Sequence, residues 1–66
     1  MTGDEIVEDV LAYVRKRADG ADDPWLRGYA LGQILVAVTF IGADSKKTIE
    51  AKNEIERLTR PIRSEA

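Results

Sequence analysis

The chain has 66 residues, of which 33% are charged, and its formal net charge is −2. Cysteine and histidine are both absent, which excludes a disulfide framework and the usual zinc, haem and iron–sulfur ligand sets. The commonest general base and the best nucleophile of enzymes are therefore missing, and we expect no catalytic, cofactor or metal site. We expect one domain, residues 1–66, and oligomerisation as its stabiliser, because a lone core of this size is marginal.

The first predicted helix covers about residues 3–18. Thr2 and Glu5 match the capping-box pattern, in which a hydroxyl and a carboxylate bond to free backbone N–H groups at a helix start. Acidic residues in the first turns and basic residues in the last complement the helix dipole, and Gly20 is a natural stop. One broad apolar stripe predicts the buried face: Ile6, Val7, Val10, Leu11, Val14 and Ala18.

The second predicted helix covers about residues 24–41. Asp23 is a preferred cap, Pro24 suits the first helical position, and Gly42 is expected to end the helix as a left-handed cap. A helix that is apolar on nearly every side must be buried on all of them or lie in a membrane. Two short amphipathic helices cannot supply that cover, so we expect a second copy of the chain to complete an all-α fold of three helices.

The helical wheel of this segment divides into four sides. We expect Phe40 to pack in the core and one narrow strip to face solvent. The aromatic-rich side holds Trp25, Tyr29, Val36 and Phe40; the side of mostly small residues holds Gly28, Gly32, Leu35 and Thr39; the aliphatic side holds Leu31, Ile34, Val38 and Ile41; the solvent strip holds Leu26, Ala30, Gln33 and Ala37.

Gly28 and Gly32 form a GxxxG pair, which lets two helix backbones approach closely. Two interpretations stay open: a seam between two chains, in water or in a membrane, or close packing of another helix of the same chain. The uncharged run of residues 28–43 is shorter than the ~20 apolar residues of a membrane span, so we expect no membrane partner.

The third predicted helix covers about residues 45–60, with a cap at Asp44 or Ser45 and Pro61 after its end. Its apolar seam is Thr48, Ala51, Ile55, Leu58 and Ile62. Helices 2 and 3 also fit a helix-turn-helix, the basis of an alternative function as a small DNA-binding regulator. Its recognition helix would carry Lys46, Lys47, Lys52 and Asn53, but glutamates on that helix and the negative net charge disfavour a nucleic-acid partner.

The candidate binding residues lie on the second helix. Trp25 stands at its exposed start with Arg27 close by, and aromatic and arginine side chains are enriched at protein interfaces. The expected partner or dimer interface is Trp25, Arg27, Gly28, Tyr29, Leu31, Gly32, Leu35, Val38 and Thr39.

In size and composition the chain resembles small phage-encoded inhibitors, such as anti-CRISPR proteins and quorum-sensing anti-activators. The resemblance carries over no individual residue. It implies action by stoichiometric occupation of a host protein's surface. Together with the dimer expected from the second helix, this gives a homodimeric inhibitor or regulator as the expected function. A structural subunit or chaperone of a hetero-complex is a further alternative. The acidic N-terminus is unlike a secretory signal, so we expect a cytoplasmic location.

Overall fold

The computed structural model describes residues 2–60, and within that range the chain is helical and has no strand. α1 is Gly3–Arg17, α2 is Pro24–Val36, and α3 is Ser45–Thr59. α2 continues directly into a π-helical turn, Ala37–Ile41. The predicted all-α class with three helices is confirmed, whereas the seam residue Ile62 and the stop at Pro61 lie outside the described residues.

The helix starts are set by the side chains that the sequence indicates. The Thr2 hydroxyl accepts from the backbone N–H of Glu5, and the Glu5 carboxylate accepts from the backbone N–H of Thr2. The Asp23 carboxylate caps α2. Asp44 caps α3, and Ser45, the other candidate cap, is the first helical residue. Each helix therefore begins where a side chain satisfies backbone donors that have no partner within the helix.

The helices form a bundle in which α1 and α3 are parallel and α2 is antiparallel to both. The end of α3 lies beside the start of α2, where the N–H of Asp23 donates to the carbonyl of Thr59 at 2.9 Å. Three contacts join α1 to α3 in ascending order along both: Asp4 with Asp44, Glu8 with Lys47, and Arg15 with Glu54. The core consists of Val7, Val10, Val14, Leu26, Ala30, Ile34, Ala37, Ala51 and Ile55.

The expected solvent strip of the second helix is wrong. Leu26, Ala30 and Ala37 are buried and Gln33 is half-buried, so this strip faces α1 and α3. Every side of the helix is apolar enough to be buried, so hydropathy does not single one out. The two alanines have the smallest side chains of that group, which favours close packing of helix backbones in a small core.

Two ion pairs join α1 to α3. Arg15 Nη2 donates to Glu54 Oε1 at 2.8 Å, and this hydrogen bond holds the pKa of the Glu54 carboxyl below its ordinary value. Lys47 pairs with Glu8, and this hydrogen bond raises the pKa of the lysine. These exposed pairs contribute little stability each.

The Arg15–Glu54 pair should make stability depend on pH. Because the pKa of Glu54 is lower in the folded chain, its contribution is present above the ordinary carboxylate pKa and is lost as pH falls through the lowered value. The free energy of unfolding, measured by urea titration, should fall between about pH 5 and pH 3. This fall should be smaller in Glu54→Gln and in Arg15→Gln than in the parent chain. If the free energy of unfolding fell as steeply with pH in both variants as in the parent chain, the assignment of this pH dependence to the Arg15–Glu54 pair would be contradicted.

The start of α1 presses against the end of the π-helical turn. A Cβ built on Gly3 would lie 1.6 Å from the carbonyl oxygen of Gly42 and 3.0 Å from that of Ala37. Gly42 has φ +87° and ψ 136°, so it has the expected positive φ, but its ψ is extended rather than left-handed helical. The backbone of this corner has no room for a side chain at Gly3.

Gly3→Ala should therefore destabilise the fold even though alanine is the better helix former. Overpacking a tight contact costs ~1 to 3 kcal/mol, whereas helix propensity alone would give a gain of about 1 kcal/mol. Ala12→Gly, at an exposed position of α1, is the matched control and should cost about 1 kcal/mol or less. Urea unfolding followed by circular dichroism measures both. A Gly3→Ala chain as stable as the parent would show that the corner is loose.

Candidate protein-binding face of α2

An apolar face of α2 and its π-helical turn points away from the bundle. Three of its side chains protrude far: Phe40 is 80% exposed, Trp25 67% and Leu35 65%. Its exposed area is on the order of 600 Å², since aromatic side chains present 150–250 Å² each when fully exposed. We call this surface the open face: Trp25, Gly28, Tyr29, Gly32, Leu35, Val36, Thr39 and Phe40.

The two glycines of the GxxxG pair lie in the middle of the open face. Among residues 2–60, no atom lies within 4 Å of a Cβ built on Gly28 or on Gly32, leaving aside their own helix backbone. The interpretation that these glycines let another helix of the same chain pack closely is therefore wrong. They form a shallow hollow on the surface that would let a helix from another molecule approach closely.

The aromatic side chains at the start of the open face are stacked in a row. The rings of Trp25 and Tyr29 are parallel, with an interplanar angle of 2° and centroids 5.5 Å apart. Tyr13 of α1 lies 5.5 Å from Tyr29 in a tilted arrangement, and the Arg17 guanidinium covers Tyr13 at 4.9 Å. The exposed indole is thereby supported on one ring face, which reduces the rotamer freedom that it would lose on binding a partner.

The π-helical turn exposes the other end of the face. Ala37 is buried, but the four residues that follow it, Val38 to Ile41, are all exposed. The expectation that Phe40 packs in the core is therefore wrong. The wheel assumes 100° per residue up to Ile41, whereas a π-helical turn with its i→i+5 bonds holds more residues per turn and redirects the side chains. Such turns occur frequently at functional sites.

Two of the predicted interface residues serve the fold instead of the open face. Arg27 is only 14% exposed, and its Nη1 donates to the carbonyl of Thr59 at 3.0 Å and to Asp22 at 2.9 Å. Leu31 is half-buried and packs against the core.

The other predicted residues are exposed: Trp25, Gly28, Tyr29, Gly32, Leu35, Val38 and Thr39. Val38 lies beside the open face, towards α3. Phe40 and Val36, which the predicted interface did not include, also lie on the open face, and their place on the aromatic-rich side of the helical wheel was the available signal.

Arg27 and Trp25 should consequently respond differently to truncation. Arg27→Ala should lower the free energy of unfolding by roughly 1.5 to 3 kcal/mol, the usual value of hydrogen bonds to charged groups. Trp25→Ala should cost less than about 1 kcal/mol, because substitutions at exposed positions have small effects. Both are measured by urea unfolding at the lowest practicable protein concentration, so that association adds little. Equal losses would contradict the separate roles.

Two grooves border the open face. The groove between α1 and α2, about 400 Å³, is lined by Ile6, Asp9, Val10, Tyr13, Tyr29 and Gln33. The groove between α2 and α3 is smaller, about 160 Å³, and is lined by Leu31, Ile34, Leu35, Val38, Thr48 and Lys52. Within residues 2–60, the buried Thr48 hydroxyl in this second groove has no hydrogen-bond partner.

The recognition helix of the DNA-binding alternative corresponds to α3. Lys47 pairs with Glu8 of α1 at the surface, whereas Lys46, Lys52 and Asn53 are exposed. Among residues 2–60, no cluster of three or more acidic side chains is arranged to hold a metal ion. The open face is the candidate binding site among residues 2–60.

The 18-residue segment Pro24–Ile41 is long and apolar enough to cross a membrane by length and composition alone, with a mean hydropathy of 1.2 and 22% of the segment buried. Core helices of other proteins meet the same two criteria.

Comparisons of the chain with protein families, with curated proteins and with solved structures give no match.

Proposed function

We propose that this chain is a non-enzymatic protein-binding protein that assembles as a homodimer through the open face of α2. The observation that carries the proposal is the extent of that face on a chain of 66 residues. The largest apolar patch of a typical monomeric protein covers about 300–600 Å², so the open face lies at the upper end of that range on a much smaller chain. A stable interface buries about 800 Å² on each partner, so the open face supplies most of what a dimer needs.

The character of the face favours a protein over a lipid partner. Tryptophan, tyrosine and phenylalanine, which the open face carries, are enriched at protein interfaces. A membrane-spanning α2 would also have to leave its bundle, because Leu26, Ala30 and Ile34 are packed against α1 and α3. Those two helices would then expose their own buried valines, alanine and isoleucine to water, which opposes the transfer.

As a biological role, we propose an inhibitor or regulator that occupies a surface of another protein in the cytoplasm. The resemblance in size and composition to small phage-encoded inhibitors supports this role, as does the exposed apolar surface of α2. The groove between α1 and α2 lies at the edge of the proposed dimer interface. Its tyrosines Tyr13 and Tyr29 suit it for contact with the partner, because tyrosine is enriched among the residues that dominate binding energy.

The dimer is tested by light scattering after size exclusion over about 1 to 100 µM protein, a range that brackets micromolar association. The parent chain should elute at twice its mass of 7.3 kDa. Phe40→Asp should give the single-chain mass, because an unpaired carboxylate in an apolar interface is strongly unfavourable. Ala12→Asp places the same carboxylate on an exposed position of α1 and should leave the dimer intact.

A parent chain of single-chain mass at every concentration would overturn the homodimer. Co-flotation of the parent chain, but not of Phe40→Asp, with lipid vesicles would favour the membrane instead. A dimer unaffected by Phe40→Asp would show that two copies associate through some other surface.

A further inference from the structure

We infer that the two copies of α2 pack antiparallel, with the two-fold axis beside Gly32. The inference rests on the proposed homodimer and adds the orientation and register of its interface. In this arrangement the aromatic start of one open face meets the Phe40 end of the other. Residues directly opposite each other have numbers that sum to about 64, so Gly28 faces Val36 of the second copy.

The shape of the open face favours this register. The face extends from Trp25 to Phe40, and Gly32 lies at its middle, so an axis there overlaps the two faces along their full length. Gly28, which has open space above it, then receives the Val36 side chain of the other copy. In a parallel pair the hollow at Gly28 would face an identical hollow and Val36 would face Val36, which leaves a void beside a crowded contact.

Charges at the two ends of α2 favour the same orientation. The turn before α2 carries Asp19, Asp22 and Asp23, of which Asp22 pairs with Arg27 and Asp23 caps α2. The turn after the π-helical segment carries Asp44, which caps α3, and is followed by Lys46, an exposed lysine that makes no ion pair within residues 2–60. Antiparallel packing brings Lys46 of one copy next to the acidic turn of the other. Parallel packing would place acid beside acid and lysine beside lysine, and would align the two helix dipoles unfavourably.

The orientation is tested by disulfide formation, since the chain has no cysteine and each crosslink must come from an introduced one. Three single-cysteine variants are oxidised separately: Gly28→Cys, Gly32→Cys and Val36→Cys. In a fourth sample, Gly28→Cys and Val36→Cys are refolded together before oxidation, and one of the two chains carries a tag that increases its mass. Gly28 and Gly32 are open in the single chain, so cysteine fits the fold at both. Ala12→Cys, exposed on α1, controls for random collision.

We expect Gly32→Cys to crosslink to itself, because it lies at the axis. Gly28→Cys alone and Val36→Cys alone should stay uncrosslinked. Each would be separated from its own copy by eight residues, about 12 Å along the helix, and a disulfide needs Cα atoms within about 7 Å. The mixture of the two should give the hetero-crosslinked dimer, whose tagged and untagged chains make its mass unambiguous.

Self-crosslinking of Gly28→Cys and of Val36→Cys would show a parallel dimer, which overturns the orientation and leaves the proposed function standing. A single-chain mass of the parent chain, together with no crosslink in any variant, would overturn both. Charge reversal gives a measurement without cysteine. Lys46→Asp and Asp19→Lys should each weaken the dimer about threefold at low salt, and the double variant should restore it. Failure of the double variant to restore affinity would count against the antiparallel arrangement.

Discussion

The fold is constrained by one helix that has more apolar surface than its own chain can cover. α2 and the π-helical turn after it are apolar almost all round, and two neighbouring helices can shield only the side that faces them. The bundle buries the side that carries Leu26, Ala30, Ile34 and Ala37. What remains exposed is a continuous face with large side chains at both ends and glycines in the middle, and the proposed function follows from that surplus.

Much of the fold could be predicted from the sequence, because local signals are explicit in it. Thr2, Asp23 and Asp44 specify the helix starts through their side chains, and the apolar stripe of α1 identifies its buried face. The orientation of α2 could not be predicted in this way. Periodicity identifies a buried side only by contrast with a polar one, and α2 lacks that contrast. The exposure of Phe40 could not be predicted for a second reason, because no sequence signal indicated the π-helical turn.

The glycines of this chain differ in their structural roles. Gly3 is required because the carbonyl of Gly42 occupies the space of a side chain, a tertiary contact that no local pattern reveals. Gly28 and Gly32 have no such neighbour, although each lowers the helix propensity of α2 by about 1 kcal/mol relative to alanine. Two unfavourable residues at the centre of an exposed apolar face are explained if a second helix packs there. The residue type and position of Arg27 favoured a place in an interface. In the structure, however, Arg27 donates a hydrogen bond to the carbonyl of Thr59 and so joins α2 to α3.

The central claim is that a second copy covers the open face in solution, and Trp25 reports on that face directly because it is the only tryptophan of the chain. The most direct measurement is the emission maximum of Trp25, together with its quenching by acrylamide, over a dilution series from micromolar to nanomolar protein. Dimerisation through the open face predicts blue-shifted, protected emission at high concentration that becomes red-shifted and quenchable on dilution. Emission that is red-shifted and equally quenchable at every concentration would contradict the claim.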